Sequence, residues 1–140
     1  MSDWLVALAL HPATLLFVGG GAGANARYWF GQWVRAVQGG AAFPWATFPW
    51  ATFAINVSGS VVLGLVAVTF VNHPDASRRN WYLLLGTGFC GGFTTFSTFS
   101  LETLELLRAG RAGTAALYVC GSVAAGLLGV WLAMRLARGA

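Results

Sequence analysis

Four stretches of this chain hold no charged side chain: residues 4–26, 36–74, 80–101 and 112–134. About 20 apolar residues cross the roughly 30 Å hydrocarbon core of a bilayer as helix, and each stretch is long enough to do so. Charged residues make up 9 % of the 140-residue chain and hydrophobic ones 57 %, against about 25 % charged in an ordinary soluble domain. Four acids and eight arginines cannot clothe a soluble domain of this size. The fold expected is therefore all-α and integral to the membrane. It is a single domain over residues 1–140, with four transmembrane helices at about 12–36, 46–71, 80–107 and 111–136.

The punctuation agrees with that division. Pro12 suits the first turn of a helix, and a GGAAFPWATFPW connection leads into the second helix near Trp45 or Thr47. Arg108-Ala109-Gly110-Arg111 makes a tight turn into the fourth. Trp4, Trp45, Trp50, Trp81 and Trp131 lie near the expected membrane borders, where amphipathic rings settle. The formal charge of +4 carries no nucleic-acid signal, because Arg35, Arg78, Arg79, Arg108, Arg111 and Arg138 sit at helix ends or in loops, with Arg135 close to one. Arg27 is the exception: its side chain either snorkels toward an interface or satisfies a helix end. Cys90 and Cys120 read as small packing residues rather than a disulfide or a metal site. Asp3 stands where a secretory signal would be basic, so no cleavable signal peptide is expected.

An even number of crossings puts both termini and the second loop on one side, with Arg78, Arg79, Arg135 and Arg138; Arg35, Arg108 and Arg111 fall on the other. Four against three is a weak bias under the positive-inside rule. Insertion both ways round is then permitted, and with it an antiparallel homodimer. Small residues favour close helix contact in lipid: Gly19, Gly20, Gly21 and Gly23 on the first helix, Gly59, Ser60 and Gly64 on the second, Gly121, Ser122, Ala125, Gly126 and Gly129 on the fourth.

Polar residues at membrane depth narrow the function. Asn56 falls about nine residues into the second helix, close to 14 Å along it. A buried amide there either faces a water-filled path or bonds a neighbouring helix. The segment GTGFCGGFTTFSTFS at 86–100 is a poor continuous helix, since Gly91 and Gly92 are permissive and Thr94 and Thr95 compete for backbone bonds. It is either a helix with a flexible point or one broken near the midplane, where freed carbonyls can hold a cation. Phe96 and Phe99 share a face and are either core packing or positively polarised ring edges for an anion. Thr98 and Glu102 make a polar line beside them, with Ser97, Ser100 and Glu105 around it. Tyr118 and Ser122, four apart on the fourth helix, can add hydroxyls.

The stretches GGGAGANARYWF (19–30), NVSGSVVLG (56–64) and GFCGGFTTFSTFSLE (88–102) resemble the small bacterial fluoride channels, the Fluc or CrcB family. The resemblance covers essentially the whole chain. It implies a dual-topology antiparallel homodimer in the bacterial inner membrane, with two fluoride pores and a central structural sodium ion. By the same resemblance Asn56 would donate to fluoride, Phe96 and Phe99 would offer ring edges, and Ser97, Thr98, Tyr118, Ser122 and Glu102 would line the track. Asn25 and Arg27 would be vestibule or structural residues. Gly91 and Thr94 would give main-chain carbonyls to sodium. Ala54, two before Asn56, offers no hydroxyl to that wall.

Two other readings compete. A proton-coupled exporter of drug-like cations needs a membrane-embedded carboxylate, and the first two helices hold none, leaving Glu102 and Glu105. A nonconducting assembly subunit would explain the glycines but not Asn56 beside the glycine pair and the phenyl rings. An enzyme is not expected, because His11 and His73 lie near the borders with no paired carboxylate. No phosphate-binding loop suggests ATP use, and no organic cofactor is expected.

Overall fold

The computed structural model describes residues 3–38, 48–71 and 75–139. Trp45, Thr47 and His73, and the expected start of the second helix at about 46, lie outside the described residues. Every regular element is helical among them: α1 (Asp3–Ala9), α2 (Pro12–Val37), α3 (Trp50–Phe70), α4 (Ala76–Trp81), a π-helical stretch (Tyr82–Cys90), α5 (Gly91–Phe93), α6 (Phe96–Arg108) and α7 (Ala112–Gly139).

α3 and α7 are each long and apolar enough to cross a membrane. α1 and α2 are bent by 51° and make a third span if the pair is counted as one. The bend sits at His11-Pro12: Pro12 has no amide hydrogen to give to a continuous helix, and the His11 side chain accepts a bond from the Ala13 amide, capping α2 afresh. α1 is an element the sequence reading missed, because proline marked a start and hid the helical turn before it.

Glycines set which helices touch. A side chain on Gly19 would meet the Leu84 carbonyl and Gly88; one on Gly23 would meet the Phe89 carbonyl and the Phe93 amide; one on Gly92 would meet Gly20. α2 therefore lies backbone-to-backbone along the π stretch and α5. α3 lies along α7 in the same manner, Gly64 against Val130 and Ala133, and Gly129 against Val61.

The helix expected at about 80–107 is built in pieces. Gly91 and Gly92 are helical, so the glycine pair is not where the chain breaks. The break is Thr94-Thr95, both in extended conformation. Thr94 ends one helix with its amide and its hydroxyl both donating to the Cys90 carbonyl. Thr95 begins the next as its N-cap, its Oγ1 accepting from the Thr98 amide at 3.2 Å.

The outside is apolar: Phe17 is 83 % exposed and Leu136 73 %, as a lipid-facing surface requires. A buried cluster gathers Leu106, Ala115 and the fully buried Tyr118, with Phe48, Phe53 and Phe99 against them. Gly110, at φ +71°, lets the chain turn from α6 into α7.

Candidate ion pathway

One side chain takes both backbone polar groups of Thr95 at the break. An extended residue presents its own N–H and C=O on the same side, and Asn56 on α3 takes both. Its Oδ1 accepts from the Thr95 amide at 2.8 Å and its Nδ2 donates to the Thr95 carbonyl at 3.1 Å. The pair of bonds fixes which end of the amide is which. One Nδ2 hydrogen and one Oδ1 lone pair are left over. Asn56 lies six positions past Trp50, about 9 Å along α3 at 1.5 Å per residue. That is nearer the start of this helix than the 14 Å expected, because the described helix begins at Trp50 and not near residue 47.

Beside the break is an open cavity of about 540 Å³, lined by Asn56, Gly59 and Ser60 from α3, by Cys90, Gly91, Thr94 and Thr95 around the break, by Phe96 and Phe99 from α6, and by Ser122 from α7. The Phe96 and Phe99 rings stand 5.8 Å apart, tilted by 38°. Phe96 is 79 % exposed. The Ser122 Oγ is buried without a hydrogen-bond partner, the one such side-chain atom among the described residues. A buried hydroxyl in that state costs about 1–3 kcal/mol.

A second polar group lies behind Phe99, whose ring packs 4.9 Å from that of Tyr118. The Tyr118 hydroxyl donates to one Glu102 oxygen at 2.8 Å, and Thr52 Oγ1 donates to the other at 2.9 Å. Three helices thus meet on one carboxylate. Ser97 and Thr98 are exposed on the first turn of α6 and knot with Thr95: its Oγ1 donates to Thr98 Oγ1 at 3.0 Å and lies 3.3 Å from Ser97 Oγ.

Of the residues singled out in the sequence, Asn56, Gly91, Thr94, Phe96, Phe99 and Ser122 meet at the cavity. Glu102 and Tyr118 form the group behind it. Asn25 is exposed, bonds the Gly21 carbonyl of its own helix at 2.9 Å, and is not among the residues lining the cavity. Arg27 reaches from α2 to the Thr94 carbonyl, 3.3 Å from Nη1, and so satisfies a helix end.

Residues 14–134 match the model of the family described as CrcB-like protein, Camphor Resistance (CrcB). A fluoride-specific ion channel of Novosphingobium aromaticivorans is 46 % identical over 123 residues, 87 % of this chain and 92 % of that one. The chain belongs to the CrcB family of bacterial fluoride channels. Namesakes from Acidobacterium capsulatum and Oceanobacillus iheyensis are 45 % and 42 % identical, over 84 % and 91 % of this chain and 88 % and 92 % of theirs. Membership makes the chain a non-catalytic, multi-pass protein of a bacterial membrane, and the exporter and scaffold readings fall with it.

The sequence reading passed over Thr52, and took Thr95 as a helix-disrupting residue but not as a site residue. Thr52 had a signal, since it stands one turn before Asn56 on the same helix face. Thr95 had one too, as the first threonine of a T-x-x-T pair at a helix start.

Proposed function

We propose that the chain is a fluoride-selective channel of the bacterial inner membrane, crossing it four times and working as an antiparallel, dual-topology homodimer with two pores. Fluoride leaves the cytoplasm passively, driven by the membrane potential. The observation that carries this reading is the cavity walled by Asn56 with its spare N–H, by Ser122 and by the rings of Phe96 and Phe99.

Fluoride is small and strongly hydrated, so it enters only where donors replace its water. Asn56 offers one N–H, Ser122 one O–H, and the phenyl edges their positive rim. None is a charge that would trap the ion, and conduction asks for several weak sites in a row. Past Phe99, the Thr52 and Tyr118 hydroxyls already point at Glu102; a passing anion takes over donors held in place by that carboxylate. Ser97 and Thr98 hold the start of α6 in register for the same path. Chloride is larger and gathers fewer of these donors at once. The fourth crossing is the broken run from α4 to α6, and the exposed Phe96 ring is covered by the second copy.

A structural sodium ion belongs to the same proposal. In an unbroken helix the Thr95 amide would bond the Gly91 carbonyl; here it goes to Asn56, which leaves Gly91 O for a cation. Thr94 O accepts from Arg27 and keeps one lone pair. Hard cations gather about six oxygens, so two carbonyls fit only together with the break of a second copy. The ion, when bound, supplies positive charge between the two breaks.

Fluorine NMR of sodium fluoride titrated with the purified dimer tests the site. The free-fluoride line is expected to broaden with wild type and to stay sharp with Asn56→Ser; equal broadening by both overturns the assignment of Asn56.

A further inference from the structure

The Arg27 bond falls on a particular group. Thr94 C=O and Thr95 N–H belong to one peptide unit, which is trans, so its oxygen and its hydrogen point in opposite directions. Arg27 donates to the oxygen end at 3.3 Å, and Asn56 Oδ1 accepts from the hydrogen end at 2.8 Å. One peptide is therefore gripped from two sides, by a cation on α2 and by an amide on α3. Gly23, one turn before Arg27, makes the reach possible, since any side chain there would strike the Phe89 carbonyl and the Phe93 amide.

A guanidinium on a carbonyl oxygen draws electron density toward it, which makes the N–H at the other end a stronger donor. That bond in turn draws density onto Asn56 Oδ1 and leaves the Nδ2 hydrogens more positive. Bonds in such a chain strengthen one another by roughly 10–30 % each. One Nδ2 hydrogen is spent on the Thr95 carbonyl, and the other is free for the cavity. Arg27 itself does not line that cavity.

Resting on the fluoride reading above, we infer that Arg27 is a positioning residue for the anion held by Asn56. It acts through the Thr94-Thr95 peptide, and its charge reaches the anion as polarisation of the Asn56 amide. Two simpler roles predict different behaviour. A helix-end cap needs only a donor, which glutamine also supplies. A charge that attracts anions toward the mouth acts with or without Asn56 and fades as salt rises.

The test uses the full-length dimer in detergent with Arg27→Gln, Arg27→Lys, Asn56→Ser and the double variant Arg27→Gln/Asn56→Ser. In the fluorine NMR titration, Arg27→Gln is expected to raise the half-saturating fluoride concentration about 5-fold, the low end of coupling between linked sites, and Arg27→Lys to recover part of that loss. Where Asn56→Ser retains measurable binding, Arg27→Gln adds no further loss to it. Proton–nitrogen spectra, recorded without fluoride, read the relay directly: the Thr95 amide and the Asn56 side-chain amide move upfield together in Arg27→Gln. Unmoved amides, Arg27→Gln binding like wild type, or losses that multiply in the double variant each overturn the inference. Absence of fluoride binding by the wild type itself, with the amides moving as described, fails the fluoride reading and leaves a relay that serves no fluoride.

Discussion

In the proposed pathway Ser122 gives up stability for a ligand, and Asn56 serves the break and the ligand together. Ser122 buries a hydroxyl with nothing to bond, so Ser122→Ala relieves a cost of about 1–3 kcal/mol. The alanine variant is expected to melt no lower than wild type in fluoride-free detergent, yet to bind fluoride roughly 10-fold more weakly, the worth of one hydrogen bond to an ion. A lower melting temperature with unchanged fluoride binding would make the hydroxyl a packing feature. Asn56→Asp tests the other half. The carboxylate keeps the bond from the Thr95 amide but loses the donor to the Thr95 carbonyl and sets a negative charge on the cavity wall. The dimer is expected to form with a reduced melting temperature and no fluoride binding, in size-exclusion and fluorine NMR measurements on one sample. At this scale the sequence made Asn56 conspicuous, as an amide in an apolar run. Thr52, one turn before Asn56, was marked only by that spacing, and its role shows once the Glu102 carboxylate is seen 2.9 Å away.

At the scale of elements, adjacent glycines have different duties. A methyl on Gly92 would collide with the backbone of Gly20, whereas one on Gly91 meets nothing within 4 Å. Backbone cannot step aside as a side-chain tip can, so Gly92→Ala is expected to cost about 1–3 kcal/mol or more and Gly91→Ala to leave the subunit fold intact. Comparing the two melting curves checks this; equal losses would contradict the α2 contact. The glycine pair announced an irregular helix, and the irregularity is real, but its cause lies two residues on. Thr94 ends one helix and Thr95 caps the next, with Asn56 standing in for the missing strand neighbour. That last bond joins residues 39 apart, which local composition cannot reveal. The π register of Tyr82–Cys90 was equally hidden, since YLLLGTGFC is consistent with any helix.

For the whole molecule, the charge-free runs were enough to announce a helical membrane protein, because lipid tolerates so few alternatives. Orientation is the part that hangs on a small difference, four arginines against three. Ala109→Arg with Gly113→Arg makes it four against five, and Ser77→Arg with Gly139→Arg six against three. Each pair is expected to insert one way and transport nothing alone, while the two expressed together regain fluoride efflux. Efflux from either pair alone at the wild-type rate would rule out the antiparallel dimer. Whether the pathway passes fluoride and refuses chloride is read in liposomes loaded with potassium fluoride or potassium chloride. A potassium ionophore is added and the anion leaving is read with an ion-selective electrode. Fast fluoride efflux, little chloride efflux, and slower fluoride efflux with Phe96→Ile are expected. Equal release of both anions, or none of either from a well-folded dimer, would contradict a fluoride-selective pathway.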